Sequence, residues 1–136
     1  MNHEYTVELR FKSDAATLFE EIQCLGLGCG TKHVFERQLA ARIYIWGYRG
    51  EDRVGFKSEW AALEEGLEFL LCALDPIREK VNDLADRFEA TWWCGHFQSS
   101  FDGGPTLSPK ILKELVRYNI PVFIDNYFSS DTVSDM

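Results

Sequence analysis

Cys94 and His96 stand two residues apart in a stretch, Glu89 to Gln98, that reads as a strand, and side chains two apart on a strand share a face. A thiol beside an imidazole is the arrangement a cysteine nucleophile needs, provided the thiol pKa is lowered. Asp125 adds a carboxylate that interrupts an otherwise apolar terminal strand, where burial without partners costs free energy. These three residues are the candidates for a small enzyme or metabolite-binding domain working between the sheet and a glycine-rich loop. The opposing expectation is structural: Cys94 and His96 are chance neighbours on an aromatic strand, and Asp125 hydrogen-bonds the loop near Gly103 or sits at the sheet end. His3 lies in the first few residues, His33 falls on another predicted strand, and no serine stands in a nucleophile elbow.

Other spacings carry less chemistry. Cys24, Cys29 and His33 lack the two close ligand pairs of a structural zinc site, so no metal and no cofactor is expected. Gly26, Gly28 and Gly30 alternate, but they follow a predicted helix and lead into a strand, the reverse of a dinucleotide-binding loop, and so read as a helix stop and turn. The paired acids Glu64 with Glu65, Glu51 with Asp52, and Asp83 with Asp86 read as solvated charge.

The elements that must position these residues follow from periodicity. Tyr5, Val7, Leu9 and Phe11 alternate with polar neighbours as a strand with one buried face. Ser13 or Asp14 is placed to cap a helix carrying Ala15, Leu18, Phe19, Ile22 and Leu25, which Gly26 ends. Thr31 to Gln38 and Ala41 to Tyr48 read as strands joined near Leu39. Ser58 is expected to cap a Leu-rich helix reaching Leu74, and Asp75-Pro76 to bend or restart it. Glu89 to Gln98 is an aromatic strand, Ser108-Pro109 opens a last helix, and Ile120 to Phe128 closes as a strand. The expected fold is α+β: a mostly antiparallel sheet with helices on one face, a ferredoxin-like βαββαβ core and an added C-terminal helix and strand. Residues 1–128 form the single domain, and residues 129–136 a polar, flexible tail.

The aromatic distribution points to a surface. Ile43 and Ile45 share one face of their strand, Tyr44, Trp46 and Tyr48 the other, and Trp92 and Trp93 point to opposite faces of a later strand. Helices on one side of a sheet cover one face, so Tyr44, Trp46 and Tyr48 with one of Trp92 and Trp93 are expected to form an exposed platform, rimmed by Glu51, Asp52 and Asp102. The opposing expectation is that a helix or loop folds over this face and makes it core.

Charge narrows the partner. With 22 acidic against 14 basic residues the net charge is −8, which repels nucleic acid and anionic membrane and favours a basic protein. At 46% hydrophobic, 136 residues are enough for one core without disulfides. The four cysteines are expected as free thiols. No apolar run approaches a membrane span, and the start, Met-Asn-His-Glu-Tyr, carries neither a basic nor an apolar leader, so a cytoplasmic location is expected.

Several segments resemble the bacterial domain of unknown function 4279 family: Ser58-Glu59-Trp60 before the Leu-rich helix, Leu74-Asp75-Pro76, Leu107-Ser108-Pro109-Lys110-Ile111-Leu112, and Ile120-Pro121-Val122-Phe123-Ile124-Asp125-Asn126-Tyr127. Val7-Glu8-Leu9-Arg10 and Leu25-Gly26-Leu27 fit as well, whereas Gly28-Cys29-Gly30 departs from a turn that more commonly contains Pro. The resemblance brings no catalytic residues. Small acidic proteins of this kind include immunity proteins of contact-dependent or polymorphic toxin systems, which bind and neutralise a toxin. The expected function is therefore non-catalytic binding of a basic protein such as a cognate toxin domain, with the small enzyme built on Cys94, His96 and Asp125 as the alternative.

Overall fold

The structure, a computed structural model, describes residues 3–37 and 41–128. The expected joint at Leu39 and the expected tail, residues 129–136, lie outside the described residues. Five strands form one mixed sheet: β1 (His3–Ser13), β2 (Thr31–Glu36), β3 (Arg42–Tyr48), β4 (Glu89–Gln98) and β5 (Val122–Phe128), in the order β2-β3-β1-β4-β5. β1 is central and antiparallel to both β3 and β4, β2 is antiparallel to β3, and β5 runs parallel to β4.

The helices lie on one face. α1 (Thr17–Glu21) tightens into a 3₁₀ turn, Ile22–Leu25, and stops at Gly26, whose φ of 69° is a left-handed value that suits glycine. Ser13 does not cap α1 in the expected way: its Oγ accepts from the Ala15 amide, 3.0 Å away, one turn too early. α2 (Leu63–Leu74) drives Leu63, Leu67, Leu70 and Leu74 into the core, each contributing about 1.5–3 kcal/mol of apolar transfer. Gly66 lets α2 approach β1, because a Cβ there would meet Val7 and Trp60 at 2.8 Å. The expected start of α2 at Ser58 is corrected. Trp60 instead exchanges two backbone hydrogen bonds with Tyr5, at 2.7 and 2.8 Å, and this pairing holds the preceding chain extended against the sheet.

Asp75-Pro76 restarts the helix as expected, through a 3₁₀ turn (Asp75–Ile77) into α3 (Arg78–Arg87). Ser108 caps α4 (Pro109–Val116), its Oγ accepting from the Ile111 amide at 3.4 Å. Glu64, expected as solvated charge, braces this cap from α2: its carboxylate accepts from the Ser108 amide at 2.6 Å and from the Ser108 hydroxyl at 2.9 Å. Asp83, by contrast, holds Arg87 in an exposed ion pair one turn along α3.

The odd-numbered side chains of β1, with Tyr44, Trp46 and Tyr48 of β3 and Trp92 and Cys94 of β4, meet these helices in one core. No helix among the described residues is long and apolar enough to cross a membrane.

Candidate functional site

With the helices on one side, the other face of the sheet carries the even-numbered residues of β1 beside Ile43, Ile45 and Gly47 of β3, and Trp93, Gly95 and Phe97 of β4. At its centre Glu8 is buried, occupying the space that a side chain at Gly47 would fill. Such a carboxylate needs partners, and two guanidinium groups supply them: Arg10 at 2.7 Å and Arg49 at 3.6 Å. Arg10, held there, lies 4.1 Å from the centre of the Trp93 ring, a cation–π contact that helps hold the indole in place on this face.

An aromatic row continues from Trp93 to the sheet edge. Phe123 packs against Trp93 with ring centres 4.5 Å apart, and Phe97 stacks on Tyr127 at 4.9 Å and 11°. Glycine at position 95 makes room for the Phe97 ring, which a Cβ would meet at 2.9 Å. Phe97, Phe123 and Tyr127 remain 39%, 44% and 46% exposed. On the opposite wing Phe35, Ile43, Ile45, Arg10, Lys12 and Trp93 line a depression of about 210 Å³. Nothing among the described residues forms a layer over this face.

The expected platform is on the wrong side. Trp46 is 1% exposed and Tyr48 fully buried, so neither is available to a partner, and Tyr44 is half-buried with its ring edge-on to Phe19 of α1. The physical reason is the glycine turn: a Cβ at Gly30 would collide with the Trp46 indole, so the bare backbone there closes over the ring. The space proposed for a ligand between sheet and glycine loop is thus filled by Trp46. Trp92 is core as well, leaving Trp93 as the tryptophan of the pair on the open face. Glu51 and Asp52 are exposed but serve the turn after β3, Glu51 accepting from the Arg49 amide at 2.9 Å and Asp52 from the Tyr48 hydroxyl at 2.6 Å. Burial first, then that hydrogen bond, pushes the Tyr48 phenol up to about 12, while the same bond holds Asp52 below the usual carboxylate range.

Cys94, His96 and Asp125 do not assemble. Cys94 is fully buried and its thiol is pushed up to about 12 by burial, the reverse of an activated nucleophile. Asp125 accepts a hydrogen bond from Tyr127 on the open face, whereas His96 sits on the helix side. His96 belongs to a polar chain that sequence reasoning missed: it is 2.8 Å from His3 and 2.7 Å from Asn126, and stacks on Tyr5 with ring centres 4.7 Å apart. His3 also reaches the Asp102 carbonyl, so Asp102 acts through its backbone, tying the 99–106 loop to β1. The strand parity of His3 with Tyr5, and of Asn126 with Ile124, was the available signal. Among the described residues no group of His, Cys, Asp and Glu side chains could hold a metal ion.

An open aromatic sheet face with its helices behind it defines a domain organised around a surface. The family model described as Domain of unknown function (DUF4279) matches residues 36–129, and the chain belongs to that family. No curated protein and no solved structure matches it.

Proposed function

We propose that this chain is a non-catalytic binding protein, an immunity-type protein of the cytoplasm that neutralises a toxin domain by direct contact, and that its contact surface is the open sheet face around Trp93, Phe97, Phe123 and Tyr127. The observation that carries the reading is the exposed aromatic row on a rigid sheet, with Trp93 pinned by Arg10 and Glu8. Aromatic residues fixed before binding lose little entropy on association and are the usual anchors of interfaces. The net charge of −8 steers a basic partner toward the molecule, as a basic toxin domain requires.

The strand order β2-β3-β1-β4 with antiparallel neighbours supports the finer reading of the fold as a ferredoxin-like core, extended by α4 and β5. The raised Cys94 thiol and the separation of Asp125 from His96 weigh against the small-enzyme alternative.

The test is co-expression with the toxin domain encoded beside its gene, scored by growth. The parent chain should protect, and Phe123→Ala or Trp93→Ala should reduce protection while remaining folded. Protection unaffected by both substitutions would place the contact elsewhere. A neighbouring metabolic operon with no toxin would overturn the immunity reading.

A further inference from the structure

β2 is an edge strand whose residues are all exposed, Val34 by 49% and Phe35 by 52%. An exposed strand edge pairs with other chains unless charge, proline or a bulge blunts it. The ladder to β3 shows which backbone groups are free. The Arg37 amide donates to the Ala41 carbonyl at 2.7 Å, and in an antiparallel pair hydrogen-bonded positions alternate. Phe35, His33 and Thr31 therefore spend their backbone groups on β3, while Glu36, Val34 and Lys32 point theirs away from the sheet.

We infer that β2 pairs antiparallel with β2 of a second copy of this chain, on a two-fold axis through Val34. In that register Val34 faces Val34, and Lys32 of each copy faces Glu36 of the other, so each outward-pointing residue exchanges both backbone hydrogen bonds with the partner strand. Lys32 and Glu36, the charges on this edge suited to repel a neighbour, are each matched by an opposite charge, and Glu36 already holds Arg42 at 3.6 Å beside the place Lys32 would enter. On the open face His33 stands opposite Phe35 at the closer, non-hydrogen-bonded positions, where aromatic pairs pack best. Shifting the register by two residues leaves one outward residue of each copy unpaired and separates Lys32 from Glu36. The self-complementarity of this strand is what selects a second copy as the occupant.

Sedimentation velocity over a concentration series tests the pairing. The parent should sediment as a dimer. Val34→Pro removes an amide that the monomer's own ladder does not use, so it should fold and sediment as a monomer. Lys32→Glu and Glu36→Lys should each weaken dimerisation by about tenfold or more, and the double exchange should restore it, because the pairs re-form with their signs reversed. Circular dichroism confirms folding of each variant, and the charge series stands if the proline variant does not fold. A parent monomeric at about 100 μM, a range in which even a weak micromolar dimer is populated, overturns the inference. So does a dimer indifferent to Val34→Pro and to both charge reversals.

Discussion

Trp46→Ala should unfold the protein or leave it only marginally stable, while Phe123→Ala should not. A buried tryptophan removes about 150–250 Å² from water, worth about 4–6 kcal/mol at about 25 cal/mol/Å². Trp46 is 1% exposed, packed between Phe11 and Tyr48 with ring centres about 6 Å from each, and closed in by the Gly30 backbone, so little collapse can refill the site. Truncation should therefore cost about 3–5 kcal/mol, the usual range for such changes. That is a large part of the about 5–15 kcal/mol available to a domain, and should lower the melting temperature by on the order of 10–20 °C. Phe123, 44% exposed on the opposite face, should cost under about 1 kcal/mol. Thermal melting by circular dichroism, with urea denaturation for the free energies, measures both. A Trp46→Ala protein melting within a few degrees of the parent would refute the assignment of faces.

Glu64→Ala should cost about 1–3 kcal/mol in urea denaturation, because it strips the charged acceptor from the Ser108 amide and hydroxyl at the start of α4. The phenols of Tyr48 and Tyr118 are both pushed up to about 12 by burial from an ordinary 10.0. Their folded pKa values exceed the unfolded ones, so the stability they contribute is complete below pH 10 and lost as pH rises toward 12; alkaline unfolding followed by tyrosinate absorbance should fall in that window, and free titration near pH 10 would contradict it. Thiol labelling of the native protein near neutral pH should modify the exposed Cys24 and Cys72 first and Cys94 only on unfolding; rapid labelling of Cys94 would reopen a role for it as a nucleophile.

Alternation made β1 legible from sequence and aromatic enrichment β4, and Ser108-Pro109 and Asp75-Pro76 marked helix starts correctly because the serine cap and the fixed φ of proline act locally, with Glu64 of α2 reinforcing the first of them. The facing of β3 was not legible. Ile43 and Ile45 are as apolar as Tyr44, Trp46 and Tyr48, and the choice between them is made with residues distant in sequence: Gly30, which admits the indole, and Glu8, which Gly47 of the same strand leaves room for on the other face. Ser58 failed as a cap for the same kind of reason, since the Trp60–Tyr5 pairing outweighs a local preference. The Arg10–Glu8–Arg49 cluster escaped notice because Glu8 and Arg10, two apart on a strand, look like ordinary wet-face charges until Gly47 is placed beside them.

The proposed contact surface is tested most directly by calorimetric titration of the proposed partner, a basic toxin domain encoded beside the gene, with the parent and with Trp93→Ala, Phe123→Ala and Glu65→Ala, the last an exposed control on α2. If the open face is the interface, each aromatic truncation should weaken binding by on the order of 2 kcal/mol, about thirtyfold, and the α2 control by a few-fold at most. Parent-like affinity in both aromatic variants, with the loss appearing in the α2 control, would contradict the account and move the interface to the helical side.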